Sequence, residues 1–254
     1  MFKHRFFKIA GIIIAFLGLV ISLGFIRKSQ NEQVCDEIAV SVDYSDNLFF
    51  VDEKDIQKTL STSFDSIKGQ RMSTLNLSSI EKAVLKNQLI ADAKVYKSVD
   101  GKLNVEVKQR KPMVRVFSEN GFSFYIDKNE NFMPLSRKYT SDVLVASGHF
   151  PTPQHPDSLF SDSIYYQLVE LVDFINEDEF WKAQIQQIYL TGNHEFELIP
   201  RVGSHTILIG SVENLEEKLN NLFILYKNGL NKLGWNQYSY INLKFKDQIV
   251  CTKK

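Results

Sequence analysis

The stretch that most constrains this chain is IAGIIIAFLGLVISLGFI, residues 9–26. Its eighteen residues carry no charge, and Ser22 is their only hydroxyl. As a helix rising about 1.5 Å per residue it would reach roughly 27 Å, close to the ~30 Å hydrocarbon core of a bilayer. A helix is the only single segment that satisfies its own backbone in lipid. Lys3, Arg5 and Lys8 precede the stretch, and Arg27 and Lys28 follow it. Three cations against two give a positive-inside bias. The expectation is a transmembrane helix at 9–26, a cytoplasmic tail at 1–8 and an exported remainder. A cleaved signal peptide is the rival reading. Its apolar region runs to about 7–15 residues and ends at a small-residue site, whereas Phe25, Ile26, Arg27 and Lys28 close this stretch. Nor do Glu32, Gln33 and Val34 give the small, apolar lead-in that lipid attachment at Cys35 would use.

Three of the 30 Lys/Arg and none of the 30 Asp/Glu fall within the first 26 residues, which leaves 27 basic and 30 acidic groups beyond them. A chain so balanced has no electrostatic case for binding nucleic acid. The two cysteines, Cys35 and Cys251, stand near opposite ends of the exported part. They could pair in an oxidising compartment or remain separate thiols, and the sequence admits both.

Hydrophobic periodicity orders the exported part. In EIAVSVDY (37–44), Ile38, Val40 and Val42 alternate with Glu37, Ala39, Ser41 and Asp43, the pattern of a half-buried strand. Asp52 is a good N-cap for a helix carrying Ile56 and Leu60 on one face. Ser78 with Glu81 reads as a capping box that opens a helix carrying Ile80, Val84 and Leu85. Two alternating runs follow, ADAKVYKSV and LNVEVKQR, around the hairpin signal Asp100-Gly101. Strand, helix, helix, strand, strand within 37–111 would bury every apolar stripe if both helices lay on one face of a three-stranded sheet.

Residues 112–250 read as a second mixed α/β unit with a mostly antiparallel sheet. VRVF and FSFYID flank Asn120-Gly121, and VLVAS ends at Gly148. Asp127, Asn129 and Asn131 imitate the start of a calcium loop, but Phe132 replaces its glycine and Lys138 its bidentate glutamate, so DKNEN reads as a hairpin turn. Ile164, Leu168, Leu171, Val172 and Ile175 keep a helical period. Strands follow around Gly192-Asn193 and at TILIG. Ser211 then caps a helix with the stripe Leu215, Leu219, Leu222, Phe223 and Tyr226. YINLKFKDQIV (240–250) reads as one last strand, with Ile241, Leu243 and Phe245 inward.

No catalytic constellation emerges: the sequence has no Gly-rich phosphate loop, no HExxH and no GxSxG. His4, His149, His155, His194 and His205 are scattered without metal spacing, and Glu177, Asp178 and Glu179 read as a solvated helix end. The expectation is no enzyme, no metal and no cofactor.

The order and spacing of FVDEKDI (50–56), IEKAVLKNQLIADAKVYKSVDGKLNVEVKQRKP (80–112), FYIDKNENFMPLS (124–136), VLVASG (143–148), ELIPRVGSHTILIG (197–210) and YINLKFKDQIV resemble the FtsQ/DivIB family of bacterial cell-division proteins. The unit at 37–111 resembles a POTRA domain. The resemblance implies a scaffold anchored in the inner membrane, with its exported part at the division septum. It implies binding to small single-pass coiled-coil proteins, FtsB/DivIC-like and FtsL-like, and through them to the septal peptidoglycan synthase. In the family the partner adds a strand to the edge made by the last strand, whose unpaired backbone groups invite it. Carried over, that surface comprises Asn242, Lys244, Phe245, Lys246, Asp247, Gln248, Ile249 and Val250, with Phe245 in the position of a contact aromatic. Periodicity alone puts Phe245 in the core instead. On the first unit, Lys94, Lys97, Lys102 and Lys108 read either as guards of an exposed edge or as a basic edge towards headgroups. Two other classes compete with this reading, a POTRA protein of envelope export and an anchored envelope hydrolase. The first would need a membrane barrel of many alternating strands, and the second a nucleophile or metal cluster.

Overall fold

A computed structural model describes residues 16–18, 33–153 and 163–254. The expected membrane helix therefore lies outside the described residues except for Phe16, Leu17 and Gly18, which are helical. Among the described residues no helix is long and apolar enough to cross a membrane. The chain divides at Gln109/Arg110 into two compact units.

The first unit runs β1 (Glu37–Asp43), α1 (Glu53–Ser63), a 3-10 turn at Met72–Thr74, α2 (Leu77–Leu85), β2 (Ile90–Lys97) and β3 (Lys102–Gln109). The sheet order is β1-β3-β2, with β1 parallel and β2 antiparallel to β3. The period-2 reading of β3 holds: Leu103, Val105 and Val107 are all buried. They meet Ile56 and Leu60 of α1 and Ile80 and Val84 of α2 in one core. Each such side chain withdrawn from water contributes roughly 1.5–3 kcal/mol before entropy is counted. Asp52 caps α1 through a reciprocal pair with Asp55, each carboxylate accepting the other residue's N–H at 3.0 Å. The capping box expected at Ser78 is a correction. Asn76 is the N-cap, its Oδ1 accepting from Ser79 N at 3.1 Å, and Ser78 lies inside the helix. Starting there lets Leu77 pack on the core. Leu85, expected on the buried stripe, is exposed.

The β1–α1 connection is fixed by a residue the hydrophobic pattern passes over. Gln109 continues the inward parity of Leu103, Val105 and Val107 and is buried. Its Oε1 accepts from Phe50 N at 2.8 Å and Val51 N at 3.1 Å, and its Nε2 donates to Asp43 O at 3.1 Å and Leu48 O at 2.6 Å. One amide thus meets two donors and two acceptors of a folded-in loop whose backbone has no strand to pair with.

The second unit runs β4 (Pro112–Phe117), β5 (Ser123–Asp127), β6 (Phe132–Met133), β7 (Leu144–Gly148), α3 (Ser163–Glu177), α4 (Glu179–Gln184), β8 (Ile185–Leu190), β9 (Phe196–Pro200), β10 (Thr206–Gly210), α5 (Leu215–Leu225), a π-helical turn at Tyr226–Leu230, a short turn of helix at Asn231–Leu233, β11 (Tyr238–Asn242) and β12 (Val250–Lys253). The strands form one nine-stranded sheet, β12-β11-β10-β9-β8-β7-β4-β5-β6. Parallel neighbours need a crossover. Helices α3 and α4 supply it from β7 to β8 and α5 from β10 to β11. The helices share one core with one face of the sheet: Ile164, Leu168, Val172, Leu215, Leu219 and Leu222 pack with Val116, Ala146, Ile188, Leu198, Ile207 and Ile241. At the close of β7, Gly148 has φ of 109°, and a Cβ there would sit 2.2 Å from the Leu190 carbonyl oxygen. The strand pair needs glycine at this position.

The DKNEN segment turns as expected, and the reason is Asp127. Its Oδ2 meets Arg110 Nη1 at 3.0 Å, and its Oδ1 accepts from the backbone N–H of Asn129 and Asn131, both at 2.9 Å. That carboxylate is spent on the turn. Asp178 of the acidic trio caps α4, accepting from Phe180 N at 2.8 Å and Trp181 N at 3.0 Å. Ser211 does not cap α5: the residue before that helix is Asn214 at φ of 55°, and the Ser211 carbonyl accepts from Lys218 Nζ at 2.8 Å. Phe223, expected on the buried stripe, is exposed. Cys35 and Cys251 are both free thiols.

Candidate partner-binding edge

The predicted single strand at 240–250 is the main correction. The chain is extended over Tyr238–Asn242, leaves the sheet for seven residues, and returns as β12 over Val250–Lys253. The break begins at Asn242, whose Oδ1 accepts from Lys244 N at 2.9 Å, a local bond that competes with a strand ladder. Leu243 still donates its N–H to Leu208 O at 2.9 Å and is buried, so the inward reading holds for Ile241 and Leu243 and then ends. Phe245 is 48% exposed, against the expectation from alternation. Asp247 takes φ of 59°, a left-handed conformation that turns the chain back.

The fold makes β11 an interior strand. It pairs in parallel with β10 (Thr206↔Tyr240, Ile207↔Ile241) and antiparallel with β12 (Ile241↔Cys251, Asn242↔Val250). Among the described residues β12 pairs with β11 alone, so one of its edges is open. Cys251 and Ile249 pack on the core, while Val250, Thr252 and Lys253 are exposed. Burial pushes the Cys251 thiol up from its ordinary value and keeps it protonated.

Of the residues expected at the site, Lys244, Phe245, Lys246, Gln248 and Ile249 come together around a cavity of about 220 Å³. Leu243, Asn214 just before α5, and Glu217, Lys218 and Asn221 on α5 complete its lining. Asn242 lies in β11 opposite Val250, and Asp247 is exposed in the turn. The loop is held from outside this segment. Lys244 Nζ pairs with Glu195 beyond the end of β8, and its stem lies over Gly210, where an added Cβ would meet Lys244 Cγ at 2.8 Å. Tyr240 donates its hydroxyl to Glu197, and burial with that carboxylate raises the phenol well above its usual range. These two pairs join residues more than forty positions apart, and no local pattern announced them.

At the opposite end of β10 and β11, His205 Nε2 lies 2.8 Å from Tyr226 Oη in a buried pair, and burial lowers the imidazole below its ordinary value. The last described residue, Lys254, donates its N–H to Gln237 O at 3.2 Å and its Nζ to Ser204 Oγ, so β12 is fastened at its far end too. A short open strand, an exposed aromatic and a small polar cavity thus lie in one place. His149 lies 3.6 Å from Glu119 on a different part of the unit. Among the described residues no group of three or more His, Cys, Asp or Glu is arranged to hold a metal ion.

Comparison with known proteins agrees with this architecture. Residues 33–108 match the model of the POTRA-like domain. Residues 111–252 match the model described as FtsQ/DivIB, C-terminal related. The cell division protein FtsQ of Geotalea daltonii is 22% identical over 188 residues, which is 73% of this chain and 66% of that protein. The match thus spans slightly less than two thirds of the relative's length. Since the second of these families covers more than half of the sequence, the chain belongs to the FtsQ/DivIB family.

Proposed function

We propose that the protein is a non-enzymatic scaffold of the cell-division machinery, held in the cytoplasmic membrane by residues 9–26 with residues 1–8 inside. Its exported part, a POTRA domain at 37–111 and a β domain at 112–250, stands at the septum. It binds FtsB/DivIC-like and FtsL-like single-pass coiled-coil proteins by strand addition and links them to the septal peptidoglycan synthase. The family and the similarity to a cell division protein support the cell-division role. The observation that carries the mechanism is the open edge of β12 at the end of the nine-stranded sheet, beside the exposed Phe245. An incoming extended segment would take its main-chain bonds from β12, seat one side chain in the cavity beside Lys244 and Gln248, and cover Phe245. Main-chain pairing supplies affinity and the loop 243–249 supplies selectivity.

Prolines on the edge strand test this directly. Neighbouring residues in a strand point their N–H groups to opposite sides. One of Cys251→Pro and Thr252→Pro therefore removes an outward donor and spares the ladder to β11. That variant should keep its circular dichroism and bind the exported segment of the cell's own FtsB/DivIC-like protein at least about tenfold more weakly. Unchanged binding by both folded variants would remove strand addition from the account.

A further inference from the structure

The first unit has a distinct end. Its chain enters at Gln33–Asp36, and that entry is fixed by bonds to two loops. Gln33 Nε2 donates to Val99 O at 2.8 Å, Asp36 N to Gly101 O at 3.0 Å, Met72 N to Gln33 O at 2.8 Å and Cys35 N to Gln70 O at 2.8 Å. The β2–β3 hairpin tip and the 68–71 loop therefore lie beside the point of entry. Val99, at the apex of that tip, is 82% exposed, more than any other large hydrophobic side chain among the described residues.

At this end Lys68, Arg71, Lys97 and Lys102 stand against Asp36, Glu37 and Asp100, a net of +1. Lys102 is engaged by Glu37 at 3.1 Å and by Asp100 at 3.9 Å. Lys68, Arg71 and Lys97 are exposed at this end against Asp36. Only six residues, Arg27 to Glu32, separate the apolar run from Gln33. Seven Cα steps span at most about 25 Å. The end that carries Val99 is thus tethered within reach of the headgroup layer, and the tether raises the local concentration of any weak contact.

We propose that the β2–β3 hairpin tip, with Val99 at its apex and Lys97, Lys68 and Arg71 around it, is a lipid-contact surface that rests the POTRA-like unit on the outer face of the membrane. A lone exposed valine would need no explanation. This one stands at the end nearest the apolar run, among cations suited to anionic headgroups. The proposal rests on residues 9–26 being a membrane anchor.

The test uses the full chain with Cys251→Ser, reconstituted in vesicles of phosphatidylcholine and phosphatidylglycerol. A fluorophore is placed at Val99→Cys or, as reference, at Ser45→Cys. Cys35 is fully buried and stays unlabelled. Ser45 follows Asp43, which pairs with Lys108 at the opposite end of the sheet, about 20 Å from the Glu37–Lys102 end. Lipids brominated near the headgroup should quench the label at 99 at least about threefold more than the label at 45. Lys97→Glu should reduce that difference. Equal quenching at both sites in chains that float with the vesicles would overturn the contact and leave the anchor intact. Failure to float would overturn the anchor and the contact together.

Discussion

Replacing Gln109 by Leu should cost the first unit more than any surface change in it. Leucine matches the volume, but it leaves the N–H groups of Phe50 and Val51 and the carbonyls of Asp43 and Leu48 without the four bonds, 2.6–3.1 Å long, that now hold them. An unsatisfied buried polar group costs about 1–3 kcal/mol. Allowing for some relaxation towards water, the loss is about 4 kcal/mol, roughly half the stability of a small domain. Phe50 and Val51, both buried, would lose their seat along with the cap at Asp52. Gln109→Glu separates the donors from the acceptors. It keeps both accepted bonds, but its carboxylate faces two carbonyl oxygens. Burial and that opposition raise the folded pKa above the unfolded value, so between the two the folded state binds more protons. The stability of this variant therefore falls as pH rises through that window. Urea unfolding of residues 33–254, followed at pH 5 and pH 8, measures both effects. A Gln109→Leu protein within about 0.5 kcal/mol of the parent would mean that these four bonds do not hold the connection.

Three further outcomes follow from named contacts. Asp127→Asn removes the charge opposite Arg110 and should destabilise the second unit by about 2–3 kcal/mol in thermal unfolding, with the β5–β6 turn the first amides to exchange. Because burial lowers the His205 pKa, its contribution to stability is present above the unfolded value of 6.5 and is lost as pH falls below it; unfolding midpoints of the parent should drop on acidification, and His205→Gln should flatten that drop. Phe245→Ala should leave stability within about 0.5 kcal/mol of the parent, since the ring is 48% exposed, while weakening partner binding at least about tenfold in a titration.

The first unit was legible because its signals are local. Leu103, Val105 and Val107 alternate at the strand period, Asp100-Gly101 marks its hairpin, and Asp52 starts a helix with Ile56 and Leu60 on one face. Gln109 was legible in principle as a polar residue at the inward parity of β3. Only the fold shows what it bonds. At the candidate site the same reasoning misled. Ile241, Leu243 and Phe245 keep period 2, yet a strand continues only while its backbone finds partners. Asn242 diverts the Lys244 N–H, and Asp247 adopts a left-handed turn. The pairs Lys244–Glu195 and Tyr240–Glu197, which hold that corner, span most of the unit's C-terminal half and left no spacing to read. The cap at Asn76 rather than Ser78 was decided by where Leu77 could pack, a tertiary preference between two adequate caps.

The claim on which the account depends is that a partner strand joins the open edge of β12. Amide hydrogen exchange of Val250–Lys253 in the full chain, with and without the exported segment of the FtsB/DivIC-like protein, measures it most directly. The account predicts that the outward amides of β12 slow on complex formation by at least about tenfold, while those already paired with β11 change little. Formation of the complex with no added protection anywhere in β12 would contradict it.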